Sequence, residues 1–349
     1  MRKVLKKSFL IFIFTILFTS VAFAYTPQDM IGSWYGEYTG YSGEVSVERF
    51  MQMTIEECDE LGNIKGEAYV TTQPNQGYDH QWINYKFEAK VDFYSNAFQM
   101  QGVKKIKSDQ TGNWLFAEFL GQLAQTPDND LFVSGIVAEE EYKYFYFGKV
   151  SDWAKTEIMM ANLYNLVPDT MKGKDLTKPI TRAEFAAVAN QLYETLTDTK
   201  TTALPSTFLD IYGNPDEESI KKAHSLNITV GFSDTEFGPS LLITREQLAT
   251  MLCRAIKKYK YPEWTFATDD QYYLLTAGVP LYADDHLIED YAKQSVYYMT
   301  KMKIIKGLSG NYFGPKNVTD EQIATNYATA TREQAIVMAL RIFAIKDKI

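Results

Sequence analysis

The chain has 349 residues, 46% of them apolar, a formal charge of −9 and two cysteines. That much apolar chain supports two or three domains with their own cores and gives no reason to expect wholesale disorder. The acidic balance disfavours a nucleic-acid partner, and Cys58 and Cys253, one in each half of the chain, exclude a disulfide scaffold.

Residues 1–24 read as a secretory signal peptide. Arg2, Lys3, Lys6 and Lys7 precede an uncharged run from Ser8 to Ala24 that ends in the small-x-small site Ala22-Phe23-Ala24. Cleavage before Tyr25 removes four cations and no acid, taking the formal charge from −9 to −13. No later stretch is apolar for long enough to span a bilayer, so no membrane association is expected after cleavage.

From Tyr25 to Val150 short alternating runs of aromatic, β-branched and Gly residues are separated by turn signals. The runs are Trp34 to Tyr38, Gln52 to Ile55, Ile64 to Val70, Trp82 to Phe93, Ala97 to Val103, Trp114 to Gly121, Leu131 to Val137 and Tyr142 to Val150. Eight or so strands at this spacing predict an antiparallel barrel or sandwich over 25–150. Gly32-Ser33-Trp34 resembles the Gly-x-Trp opening of lipocalin-type barrels, which close over one small ligand. The inward aromatics equally suit a barrel filled by its own side chains.

From Ser151 onward the pattern turns helical and repeats. Thr181-Arg182-Ala183-Glu184, Thr244-Arg245-Glu246-Gln247 and Thr331-Arg332-Glu333-Gln334 each place Glu or Gln three residues after Thr, a capping box that starts a helix. The capping residues are Thr181 with Glu184, Thr244 with Gln247, and Thr331 with Gln334. Behind each box the apolar positions recur with helical spacing, as in Phe185, Val188, Ala189 and Leu192, so one stripe of each helix faces a core. Phe237-Gly238-Pro239 and Phe313-Gly314-Pro315 precede the second and third boxes. The box Arg is the odd element, because a cation in the first turn opposes the helix dipole. An Arg fork beside a helix N-terminus suits a carboxylate or phosphate ligand; pairing of each Arg with an acid of the fold is the other reading.

These residues resemble three S-layer homology repeats within 151–349, at about 151–200, 205–260 and 282–346. Ser151-Asp152-Trp153-Ala154, Phe208-Leu209-Asp210 and Asp290-Tyr291-Ala292 open the three, and the Thr-Arg boxes lie within them. The resemblance implies an all-α domain of three helix-loop-helix repeats in a pseudo-threefold arrangement, with ligand grooves between neighbours. It implies a pyruvylated secondary cell wall polymer attached to peptidoglycan as the partner, met by Arg182, Arg245 and Arg332, with Asp152, Trp153 and Asp210 shaping the grooves. Two insertions, Tyr261 to Asp284 and Lys316 to Ala330, depart from the pattern. So do Asn227 and Lys303, which stand where the family usually has Gly before the loop, and the first repeat, which lacks Phe-Gly-Pro. Unequal grooves are therefore expected.

His80, His224 and His286 have no metal spacing, and no nucleophile or phosphate-loop motif occurs, so no metal, no cofactor and no enzyme activity are expected. The acidic runs Glu139-Glu140-Glu141, Asp216-Glu217-Glu218 and Asp284-Asp285 read as solvated faces or turns. The sequence thus predicts a multidomain protein secreted to the wall or S-layer surface of a bacterium, held there by carbohydrate binding and displaying a β-domain. The alternative is an envelope-anchored enzyme or small-ligand carrier whose site lies in that β-domain.

Overall fold

A computed structural model describes residues 25–42, 45–72, 81–109, 116–126, 129–138 and 143–349. The predicted leader, His80 and the run Glu139 to Glu141 lie outside the described residues. Helix α1 (Pro27–Met30) precedes eight strands: β1 (Gly32–Ser42), β2 (Val45–Cys58), β3 (Asn63–Thr72), β4 (Trp82–Asp92), β5 (Ala97–Ser108), β6 (Glu118–Gln125), β7 (Leu131–Val137) and β8 (Tyr144–Lys149). Each strand pairs antiparallel with the next and β8 returns to β1, so the sheet is a closed up-and-down barrel and the sandwich alternative falls away. Closure leaves no sheet edge.

The alternation expected along each strand divides two environments. Trp34, Met53, Phe87, Phe119 and Phe147 belong to the barrel core and are almost fully buried. Trp34 packs at the α1 end and donates its Nε1–H to the Met30 carbonyl at 2.9 Å. Gly-x-Trp therefore supplies filling at that end of the barrel, as eight strands leave an interior that side chains can occupy. The next residue, Tyr35, faces outward and joins the core of the helical half. Its hydroxyl donates to the Met171 carbonyl at 2.9 Å. Opposite Tyr35 on β8, Gly148 lies so close to the helical half that a Cβ there would sit 2.4 Å from the Lys174 carbonyl oxygen.

The helical half contains α2 (Lys155–Leu163), α3 (Arg182–Thr197), α4 (Glu217–Ser225), α5 (Arg245–Lys260), α6 (Asp290–Lys301), α7 (Asp320–Ala324) and α8 (Arg332–Ala344). None of the described helices is long and apolar enough to cross a membrane. Helices α2, α4 and α6 end alike: the N–H of Leu166, Ile228 and Ile304 reaches back to the carbonyl of Ala161, Ala223 and Met299 at 2.8–3.0 Å, while Asn165, Asn227 and Lys303 donate to Asn162, His224 and Thr300. This double closure requires a left-handed residue, and those three have φ of 55°, 61° and 59°. Both Cys58 and Cys253 are free thiols; Cys253 is buried in the helical core, which pushes its pKa up to about 11.

The three box helices, α3, α5 and α8, are joined at their N-termini by a ring of backbone contacts. Thr181 bridges Leu242, Thr244 bridges Thr329, and Thr331 bridges Pro179. In each case the box Thr meets the residue two positions before another box Thr, and the third contact returns to the first. The Arg N–H of each box also donates to the carbonyl three positions before that same Thr, Arg182 to Leu241, Arg245 to Ala328 and Arg332 to Lys178, at 2.8–3.0 Å.

A non-Gly residue at φ near +60° costs about 1–2 kcal/mol, part of which Gly forfeits through its freer unfolded state. Lys303→Gly is therefore expected to raise the unfolding free energy by about 1 kcal/mol, and Asn227→Gly to change it much less, because Asn tolerates this conformation. Urea unfolding of the two variants checks both; a destabilised Lys303→Gly protein would contradict the left-handed assignment.

Candidate functional site

Each box folds as its sequence dictates. The N–H of Glu184, Gln247 and Gln334 donates to the Thr181, Thr244 and Thr331 hydroxyls at 3.2, 3.3 and 3.3 Å, and the acid or amide oxygen accepts the Thr N–H in return at 3.0, 3.4 and 3.2 Å. The next two N–H groups of each first turn donate to carbonyls of a neighbouring segment, for example Arg182 to Leu241 and Ala183 to Pro239. This corrects the expectation that helix N-termini lend free donors to an anion. Those donors are engaged within the fold, so any anion must be held by side chains.

Arg182 and Arg245 are placed alike. Arg182 donates Nε–H to the Phe237 carbonyl at 2.9 Å and an Nη2 hydrogen to the Val230 carbonyl; Arg245 donates Nε–H to Phe313 at 2.9 Å and Nη2–H to Lys306 at 3.0 Å. The Arg182 guanidinium lies 4.7 and 4.6 Å from the ring centres of Phe232 and Phe237, and that of Arg245 lies 5.1 Å from Phe313. Among the described residues no carboxylate forms an ion pair with either. Burial pushes the pKa of Arg182 down to about 10, with the neighbouring Arg254 charge adding to the effect, and burial likewise lowers that of Arg245. Both stay protonated at neutral pH, and each is held directly by carbonyls and aromatic rings, with the Asp210 or Asp284 charge acting from beneath the turn.

Each of these two guanidinium groups lines a groove built from equivalent positions. The first, of about 330 Å³, is lined by Arg182, Gln247, Thr250, Met251, Arg254 and Tyr291 together with residues 229–232. The second, of about 180 Å³, is lined by Arg245, Gln334, Val337, Met338, Arg341 and Trp153 together with residues 304–306. Arg254 and Arg341 each stand nine residues after a box Arg. Trp153 and Tyr291 each stand eight residues before the carbonyl that closes their helix, Ala161 or Met299. A groove thus combines two Arg, one cap Gln and one aromatic side chain, the set expected for an acidic sugar: guanidinium forks for the acid, an amide for hydroxyls and a ring for a sugar face.

The same three positions around Arg332 hold Glu184 instead of Gln, Gln191 instead of the second Arg, and Pro215 instead of the aromatic residue. Arg332 is 2% exposed. Its Nη2 lies 2.8 Å from Glu184 Oε1, and Nη1 donates to both carboxylate oxygens of Asp130 on the β6–β7 connection at 2.9 and 2.8 Å. Lys174 also reaches Glu184 at 2.7 Å, and Lys178 reaches Asp130 at 3.2 Å. Burial favours the neutral form of Glu184, but Arg332 and Lys174 outweigh it and hold its pKa below the usual carboxylate range. Arg332 thus follows the other reading of a box Arg: it pairs with acids of the fold and joins the barrel to the helices.

Two other expected groove residues make contacts within the fold. Asp152 is exposed and accepts a hydrogen bond from the Ser33 hydroxyl of the barrel, so it belongs to the junction of the two halves. Asp210 accepts the N–H groups of Phe237 and Gly238 at 2.9 and 2.7 Å and thereby fixes the Phe-Gly-Pro turn under Arg182. Asp284 does the same for Phe313 and Gly314, both at 2.8 Å. Asp284, which sequence reasoning placed in an acidic run, is thus the counterpart of Asp210. Trp153 does line a groove, that of Arg245. Arg254, Arg341 and Tyr291 were missed; the constant nine-residue offset from the box Arg was the available signal for the first two. No cluster of three or more metal-ligating side chains occurs among the described residues.

Residues 207–249 match the family model of the S-layer homology domain. The match runs from the segment before α4 through Phe237-Gly238-Pro239 and the second box into α5. No curated protein matches the chain. The protein thus carries an S-layer homology domain, which implies a bacterial cell-surface or S-layer location and an anchoring role toward the cell wall.

Removing one partner of a buried ion pair strands the other, at a cost of about 3 kcal/mol. Asp130→Asn leaves Arg332 with Glu184 alone and is expected to lower stability by up to about that amount, and Asp130→Asn combined with Arg332→Met to cost less than the two single losses added together. Thermal or urea unfolding of the two single variants and the double variant measures the coupling; losses that simply add would contradict the pairing.

Proposed function

We propose that the protein is secreted and held noncovalently at the cell wall by three S-layer homology repeats arranged about a pseudo-threefold axis, and that it displays the β-barrel from this anchor. The cyclic bridges among the three boxes and the identical closures of α2, α4 and α6 support three repeats, although the family match covers the second alone. The partner is an acidic secondary wall polymer of the pyruvylated type. The observation that carries this reading is the pair of equivalent grooves in which two Arg side chains converge and, among the described residues, none of the four is ion-paired with a carboxylate. A ketal carboxylate entering such a groove supplies the missing charge and meets pre-oriented forks, so little reorganisation opposes binding.

Two grooves on one body also explain how modest single contacts give lasting attachment. Once one acidic unit of a repetitive polymer is held, the next is presented at high local concentration, and release requires both to let go. The groove around Arg332 contributes docking of the barrel instead. The overall negative charge repels an anionic polymer at long range, so attachment rests on these local cationic sites and weakens as salt screens them.

Arg254→Gln with Arg341→Gln tests the reading, because among the described residues neither side chain forms an ion pair whose loss would unfold the body. Cosedimentation with sacculi from the host is expected to fall at least about tenfold in the double variant, as two charged contacts are lost. Walls stripped of secondary polymer by mild acid should release the unmodified protein as well. Full retention of the double variant on intact walls would remove the grooves from the anchoring mechanism.

A further inference from the structure

The groove at Arg182 does not end at Arg254. A second cavity of about 230 Å³ adjoins it, and Thr250, Arg254 and Tyr291 line both. Its far wall comes from the segment between α5 and α6, the longer departure from the repeat pattern. There Trp264 is fully buried, and its Nε1–H donates to Asp269 Oδ1 at 2.7 Å. Lys257, 4% exposed on α5, donates to the same oxygen at 2.6 Å. Phe266 lies under Arg254, 4.6 Å from the guanidinium carbon to the ring centre. The insertion is thus braced internally by Trp264 and fastened to α5 at Lys257 and Arg254, and it carries Asp270 and Tyr273 at the cavity.

We propose that this cavity is a second sugar subsite, so that the Arg182 groove binds an acidic unit together with the neutral sugar next to it. The inference rests on the acidic-glycan reading given above and specifies what one groove recognises beyond the acid. The composition of the cavity decides the class. Asp270 pairs with no cation among the described residues, and Asp269 already serves Lys257 and Trp264, so a second carboxylate would be repelled there. A neutral sugar meets acceptors for its hydroxyls at Asp270 and Gln294, and the exposed ring of Tyr273 offers a face for its C–H groups. Arg254 stands at the boundary, where it serves the acid on one side and the neighbouring ring on the other.

The test uses the full mature chain carrying Arg341→Gln, so that the Arg182 groove dominates the signal. Two synthetic probes are titrated by calorimetry: a hexosaminide bearing a pyruvate ketal, and the same unit linked to one neutral hexosamine. The disaccharide is expected to bind roughly tenfold tighter. Asp270→Asn with Tyr273→Ala, both at exposed positions, should erase that advantage while leaving monosaccharide affinity and the unfolding midpoint unchanged. Equal affinity for the two probes, or an advantage that survives the double substitution, overturns the subsite and leaves the acid site standing. Failure of both probes to bind overturns the acidic-glycan reading and the subsite with it.

Discussion

The helical half depends on the first turn of each box helix. That turn gives its N–H groups to carbonyls of a neighbouring segment, and in α3 and α5 the box Arg adds Nε to the carbonyl of the Phe-Gly-Pro turn. These bonds close the three segments on one another and leave each of those guanidinium groups in a fixed position. The arrangement demands a donor that reaches sideways as well as upward, and a planar fork supplies it where a Lys ammonium would not. The cation that a helix N-terminus disfavours is therefore present for the contact between neighbouring segments, and its charge also faces outward. In two of three places that charge faces an open groove.

The third place shows how small a chemical change redirects the same geometry. A cap residue must accept one N–H, which Gln and Glu do equally well, as the similar cap distances of Glu184, Gln247 and Gln334 attest. Only Glu brings a charge. At Glu184 that charge neutralises Arg332, and the barrel adds Asp130 from the other side. The positions that line a cationic groove elsewhere form here the buried joint between barrel and helices. Tyr35, Gly148 and the Ser33–Asp152 contact then complete the junction around this paired charge cluster.

Much of this was legible in the sequence, for reasons that differ by element. The barrel strands follow from alternation, because inward and outward residues meet different surroundings. β6 runs over Glu118–Gln125, four residues beyond the stretch starting at Trp114, since Phe116 lies across Gly102 of β5 without entering the ladder. The box helices follow from local capping chemistry. Whether a box Arg meets a ligand or an acid of the fold could not follow from its own surroundings, because the deciding residue lies in another segment: Gln247 for Arg182, Gln334 for Arg245, and Glu184 with Asp130 for Arg332. Asp284 was obscured likewise, since its partners Phe313 and Gly314 are about thirty residues away.

The account turns on the number of open cationic grooves, and binding stoichiometry reads that number directly. Isothermal titration of the mature chain with a monovalent pyruvate-ketal sugar, with native mass spectrometry of the same mixture, is predicted to give two bound sugars per chain, reduced to one by either Arg254→Gln or Arg341→Gln. Three bound sugars would mean that Arg332 is not held by Glu184 and Asp130, and none would mean that the groove arginines serve the fold alone.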